Sequence, residues 1–259
     1  VTGGVDGLVE ERHGHVLVLR IDRPDKANTL TFEIIGGLGA AIERAEEDGD
    51  LRVIVLTGTG ERTFCAGMDL GAMARATSGE DEVSVPTSYL RLLDGEVSVP
   101  VVAAVNGTAM AGGFELLLGC DLVVTSATAR FGLPEVKRGL IAGQGTVALA
   151  SRLPLSIALE LGLTGEPIDA GRAYELGLAN AVVDPDAVLP TALVLAERIA
   201  ANAPMAVAAT REILRGASVD PVATAERMPA LRDAVFGSED AQEGALAFME
   251  KRPPVWKGR

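Results

Sequence analysis

Three segments, LRVIVLTG (51–58), PVVAAVNG (100–107) and CDLVVTS (120–126), are nearly unbroken runs of Val, Ile, Leu and Ala. A strand with one wet face alternates apolar and polar residues; a strand buried on both faces does not. HVLVLRID (15–22) reads as a further strand. Between it and 51–58, Phe32, Ile35, Leu38, Ile42 and Ala45 recur at helical spacing, with Thr31 placed to cap the helix and Gly49 to stop it. Strands alternating with helices predict an α/β core with mostly parallel pairing. Beyond about residue 143 the strands thin out, and AVV (181–183) is the main candidate. SEDAQEGALAFMEKR (238–252) is a well-signalled last helix. Ser238 caps it, Glu239 and Asp240 fill its first turn, and Lys251 and Arg252 fill its last before Pro253. Its apolar face is Ala245, Leu246, Phe248 and Met249. Residues 71–97 are expected to begin as a mobile polar stretch, with a short helix around Tyr89 to Leu93.

Several function classes are disfavoured. The formal net charge of −13 argues against a broad nucleic-acid or anionic-membrane surface. A few local Arg or Lys residues still suffice for a small anionic ligand. No apolar stretch reaches the length of a membrane span, and the N-terminal residues lack the pattern of a secretory signal. Two cysteines, Cys65 and Cys120, make no disulfide framework, so a cytoplasmic location is expected. His13 and His15 lie near the start of the first strand. No carboxylate or cysteine joins them at a metal-ligand spacing, and no partner marks a nucleophilic triad. GTGERT (58–63) and GLIAGQGT (139–146) are glycine-rich but lack the full pattern of a phosphate or dinucleotide loop.

The segment AMAGGFELLLGCD (109–121) puts one carboxylate, Glu115, between a glycine pair and three leucines. By position alone Glu115 fits two roles: offsetting a helix dipole, or acting as an acid or base in a dry pocket. The neighbouring motifs bear on the choice. FCAGMDL (64–70) follows one buried strand and AMAGGFE follows the next. Adjacent strand ends in a parallel sheet lie side by side, and each is expected to aim a free backbone N–H into one crevice. Two such donors form an oxyanion hole. FGLPEV (131–136) adds a second isolated carboxylate, Glu135. Two N–H donors and two carboxylates suit chemistry beside a carbonyl.

The sequence resembles the crotonase superfamily, most of all the enoyl-CoA hydratases. The resemblance is carried by RPDKANTL (23–30), FCAGMDL (64–70), AVNGTAMAGGFELLLGCD (104–121), ARFGLPEVKRGLIAGQGT (129–146), LTGEPIDAGRAYELGLANAVV (163–183) and AFMEKRPPVW (247–256), in the family's order. It implies an α/β spiral of ββα repeats over residues 1–195. A helical region over 196–259 would build a homotrimer, or a hexamer made of two trimers. The N–H groups of Met68 and Gly112 match the family's oxyanion hole, and Glu115 and Glu135 match its two catalytic glutamates. Coenzyme A would be held around Lys26, Ala27 and Met68, with Lys251 helping, and Gln144 would reach the acyl pocket or the water. The substrate would be an acyl-CoA thioester, with no metal and no redox cofactor.

The implied reaction is hydration of a 2-enoyl-CoA to a 3-hydroxyacyl-CoA. Isomerisation, dehydration of a hydroxyacyl-CoA and non-catalytic acyl-CoA binding are the alternatives, because one fold hosts many activities. Three departures from the family pattern bear on the substrate. Ala111-Gly112-Gly113 stands where three glycines are common. Ile141-Ala142-Gly143-Gln144-Gly145 stands where a proline and an extra glycine are common. Met68 replaces a smaller residue.

Overall fold

The computed structural model of the chain describes residues 5–78 and 84–259. It opens with an antiparallel hairpin of β1 (Leu8–His13) and β2 (Val16–Ile21), then helix α1 (Phe32–Glu47). Next come β3 (Val53–Gly58), the short β4 (Thr63–Cys65), and helices α2 (Leu70–Ser78) and α3 (Thr87–Asp94). The pattern repeats as β5 (Val101–Val105), β6 (Thr108–Met110) and α4 (Gly112–Gly119). It repeats again as β7 (Leu122–Ser126), β8 (Arg130–Gly132), α5 (Gly143–Arg152) and α6 (Leu155–Thr164). β9 (Ile168–Asp169), α7 (Ala170–Glu175) and β10 (Ala181–Val183) follow. Four helices come last: α8 (Val188–Ala200), α9 (Pro204–Val219), α10 (Pro221–Phe236) and α11 (Glu239–Glu250).

Each repeat lays one strand in a six-stranded sheet, ordered β1-β2-β3-β5-β7-β10, and one in a four-stranded sheet, ordered β4-β6-β8-β9. This is the expected ββα spiral. From β2 to β10 the larger sheet is parallel throughout. Its unbroken apolar runs arise because both faces are covered. Leu19, Ile54, Leu56, Ala103 and Val123 pack into the main core with Ile35, Leu38 and Ile42 of α1. The alternate residues Val16, Val18, Val53, Val55, Val102, Ala104 and Val124 pack beneath α8. That helix presents Val188, Ala192, Ala196 and Ala200, one small residue every four positions, as its buried stripe.

Several expectations are corrected. The hairpin strand β1 was not evident, because VEERH is mostly polar. His13 therefore ends β1 and His15 lies across the turn, where its Nδ1 is 2.7 Å from the Asp50 carbonyl. Thr31 does cap α1. The helix stops before Gly49, however: Asp48 leaves helical geometry and its Oδ1 accepts the Asp50 N–H. The stretch expected to be mobile from residue 71 is helical as far as Ser78, because Asp69 Oδ1 accepts the N–H groups of Gly71 and Ala72. Residues 79–83 of that stretch lie outside the described residues. The helix expected around Tyr89 to Leu93 is α3.

Ser238 caps α11 as expected, accepting the Ala241 N–H at 3.0 Å. Lys251, placed in its last turn from sequence, is instead the left-handed C-cap. The face carrying Phe248 (86% exposed) and Met249 (71% exposed) is open in the single chain, and Ala247 is the apolar residue of this helix that is buried. Neither α9 nor α10 buries any residue. Arg211 and Arg215 of α9 reach Asp121 and the carbonyls of Gly95 and Gly119. The expected division after residue 195 falls inside α8, and the chain leaves the sheet at residues 201–203. No single helix among the described residues is long and apolar enough to cross a membrane.

Candidate active site

The smaller sheet brings the two glycine loops together. β4 and β6 run parallel, with Thr63 opposite Thr108 and Cys65 opposite Ala109, so the chain leaves both strands at the same level. From the residues alone each loop was expected directly off a buried strand; the short strands β4 and β6 intervene and set that level. Gly67 has φ +96°, and a Cβ there would stand 2.8 Å from Ala111 Cβ and 3.2 Å from Gly112 N. Only glycine fits that conformation and that approach. A Cβ on Gly113 would collide with the Cys65 carbonyl, which seats the start of α4 on the end of β4.

Leu30 brackets Met68: its N–H donates to the Gly67 carbonyl and its own carbonyl accepts the Asp69 N–H, each at 2.8 Å. Met68 N–H is left on the other side. Among the described residues, neither Met68 N–H nor Gly112 N–H has a protein acceptor. Ala111, just before Gly112, sits at φ 53°, ψ −130°. Such a conformation costs a non-glycine residue about 1–3 kcal/mol and concentrates at functional sites.

The carboxylates come from the next two turns of the spiral. Glu115 is half-buried in the first turn of α4, and its Oε1 accepts the Gly145 N–H at 2.7 Å. It thereby caps the N-terminal turn of α5 from outside that helix. Glu135 lies in the 3-10 turn Pro134–Arg138 after β8. Its Oε2 is buried without a partner among the described residues. Burial raises the Glu135 pKa, and the negative charge of Glu115 adds to the rise; a backbone N–H and Arg138 oppose them. One carboxylate is thus anchored; the other, Glu135, is short of a partner and holds its proton more firmly than an ordinary glutamate.

The remaining candidates are more scattered. Ala27 is left-handed, and its carbonyl accepts the Ala66 N–H, tying the 23–30 segment beside Met68. Lys26 is exposed in the adjoining turn. Lys251 belongs to the C-terminal helices. Gln144 donates from Nε2 to Asp94 Oδ1 at 3.0 Å, so its amide is engaged on α3. Cys65 is buried, and burial pushes its thiol up to about 12, which suits a packing residue. No group of three or more metal-ligating side chains is placed together among the described residues.

Sequence reasoning missed the supports of this site. Asn28 is fully buried and donates to the carbonyls of Thr59 and Thr63 while accepting the Arg23 N–H. Asn106 donates to Gly60 and Thr63 and accepts the Gly58 N–H. Arg23 pairs with Asp69 at 3.0 Å. These bonds hold the loops on either side of Met68, and their only trace in the sequence is their place inside the RPDKAN, AVNG and GMDL motifs.

Residues 11–259 match the family described as Enoyl-CoA hydratase/isomerase. Carnitinyl-CoA dehydratase of Citrobacter koseri is 40% identical over 255 residues, covering 96% of this chain and 97% of that one. The Proteus mirabilis protein of the same name is 40% identical over 256 residues, covering 95% and 96%. Among solved structures, an enoyl-CoA hydratase from Mycobacterium tuberculosis is 40% identical, with a TM-score of 0.89 over 98% of this chain and 99% of that one. A carnitinyl-CoA hydratase from Mycobacterium avium is 41% identical, with a TM-score of 0.75 over the same shares. With the ββα spiral and the motifs in their family order, these matches establish that the chain belongs to the enoyl-CoA hydratase/isomerase family of the crotonase superfamily.

Proposed function

We propose that the protein is a hydro-lyase acting on CoA thioesters, adding water to a 2-enoyl-CoA to give a 3-hydroxyacyl-CoA. The observation that carries this reading is the buried, unpartnered Oε2 of Glu135, beside an anchored Glu115 and next to two free N–H donors. The thioester oxygen sits on the Met68 and Gly112 N–H groups. Glu115 takes a proton from a water held between the carboxylates, and the oxygen of that water bonds to the β-carbon. The double-bond electrons move onto the thioester oxygen as an enolate, where each donor is worth ~3 kcal/mol. Glu135, the carboxyl with the raised proton affinity, protonates the α-carbon. Every proton and electron pair is then accounted for without a redox cofactor or a metal. Lys26, the backbone at Ala27 and Met68, and Lys251 hold the coenzyme A portion, and a cytoplasmic setting belongs to the same reading.

A second reading concerns the acyl group and the direction. Relatives 40% identical are named carnitinyl-CoA dehydratases, and a carnitinyl thioester is itself a 3-hydroxyacyl-CoA with a quaternary ammonium at its end. The same site run backwards would dehydrate it.

The deciding experiment mixes the protein with a short 2-enoyl-CoA in oxygen-18 water, following enoyl absorbance and product mass, with the quaternary-ammonium thioester in parallel. Labelled 3-hydroxyacyl-CoA is the expected product. Conversion of a 3-enoyl-CoA to the 2-enoyl isomer without any labelled product would replace hydration with isomerisation.

The same reading includes a homotrimer, alone or paired into a hexamer. Phe236, Phe248 and Met249 are each more than 70% exposed on helices that otherwise bury little. Apolar area of that extent is normally covered. Sedimentation equilibrium at micromolar concentration should give a trimeric or hexameric mass, and Phe248→Glu should lower it. A monomeric mass for the unaltered chain would exclude the trimer.

A further inference from the structure

Tyr89 is a buried polar side chain to which the proposed chemistry gives no role. Its ring lies in the main core, with 5% of the residue exposed. Among the described residues its hydroxyl has no hydrogen-bond partner. It is not one of the fully enclosed unpartnered side-chain atoms, so it borders open space, where a water or a ligand can supply the missing partner.

The helices bring Tyr89 to the level of Glu115: Arg211 binds both the Gly95 carbonyl just past α3 and Asp121 just past α4, so the two helices run side by side in the same direction. α3 and α4 meet where Gly119 closes on the Leu92 carbonyl, with no room for a Cβ. One turn back from that meeting point stand Tyr89 on α3 and Glu115 on α4. The start of α5 is tied to both helices, to α3 by Gln144 on Asp94 and to α4 by the Gly145 N–H on Glu115. Burial raises the Tyr89 pKa, and the two groups adding to it by charge are Cys65, at the end of β4, and Glu115. The phenol therefore stays neutral and keeps its proton to donate.

Resting on the hydration reading above, we propose that the Tyr89 hydroxyl donates a hydrogen bond to the oxygen at the acyl β-carbon. This is the oxygen that Glu115 handles as water before addition and that becomes the 3-hydroxyl after it. As Glu115 draws off a proton, that oxygen takes on hydroxide character, and an uncharged donor stabilises it without adding a charge to the pocket. In the reverse direction the same donor steadies the departing oxygen. Tyr89 thereby favours acyl chains with oxygen at C3 over saturated ones.

Tyr89→Phe removes the oxygen and leaves the ring in place. Calorimetric titration with 3-hydroxybutyryl-CoA and with butyryl-CoA gives the primary readout, alongside thermal melting and turnover of a 2-enoyl-CoA. The variant should bind 3-hydroxybutyryl-CoA ~10-fold more weakly, the scale of one hydrogen bond. It should bind butyryl-CoA as the unaltered protein does. Turnover should fall by a similar factor, with melting temperature unchanged or higher, because the free protein gives this hydroxyl no partner. Equal affinities of variant and unaltered protein for 3-hydroxybutyryl-CoA would overturn the assignment. So would a lower melting temperature with both affinities reduced alike, which marks a structural hydroxyl. The binding contrast decides the role of Tyr89 even where turnover is absent; loss of turnover in the unaltered protein counts against hydration alone.

Discussion

Glu115→Gln and Glu135→Gln should each slow hydration by ~10²-fold or more, the scale of one positioned acid or base. The double variant should be little slower than either single one, because in the proposed mechanism both groups act on one water. Stopped-flow or steady-state loss of enoyl absorbance measures this, and a rate unchanged by either substitution removes that carboxylate from the chemistry. Stability should separate the two residues. In the folded chain Glu135 has its pKa raised above the unfolded value, chiefly by burial. Its stabilising contribution is present below the ordinary carboxylate range and is lost as pH rises through the folded pKa. At neutral pH the unaltered protein therefore carries a penalty that Glu135→Gln removes. The variant should melt no lower there, and should lack that part of the gain seen on acidification. Glu115→Gln keeps an acceptor for the Gly145 N–H, whereas Glu115→Ala uncaps α5 at ~1 kcal/mol.

Gly112→Pro should lower turnover by ~10²–10³-fold, since proline removes one of the two N–H donors. The controls are what make this informative. A Cβ at residue 112 would stand 3.5 Å from Gly67 Cα, an ordinary contact, so Gly112→Ala should keep both the donor and the activity. Met68→Ala also keeps its N–H and should change chain-length preference more than the chemical step. Proline is sterically suited to the first position of a helix, but Ala111 before it sits at φ 53°, ψ −130°. A residue before proline prefers extended geometry, so circular dichroism and melting must accompany the rates. Equal, severe losses from Met68→Ala and Gly112→Pro with folding intact would count against backbone donation.

The elements legible in the sequence are those whose neighbours are dictated by burial on both sides. β3, β5 and β7 announce themselves because α8 covers one face and the main core the other. β4, β6 and β8, at three residues each, are too short to show a period, and their existence depends on pairing with one another. α2 escaped because it buries only Ala72 and so shows no apolar period, and because its start depends on one aspartate side chain. Glu115 and Glu135 stand out as lone acids in apolar motifs. The clamps of Asn28 and Asn106 do not, since every partner but Arg23 is 31 to 48 residues away. Tyr89 was legible as part of a helix, but a hydroxyl without a partner has no signature in one dimension.

The cover that α8 provides also sets the order in which the chain can hide itself. The valines it shields come from residues 16 to 124, but the shield itself is residues 188–200. A nascent or partly folded chain that stops at β7 has α1, α3 and α4 to pack on one side of its central sheet while the other remains a flat wall of Val16, Val18, Val53, Val55, Val102 and Val124. Such a wall invites association with other unfinished chains. The smallest segment that seals both sides thus runs from residue 16 to residue 200, and the long excursion through α5, α6 and α7 must close before any shorter piece of this protein is safe in solution.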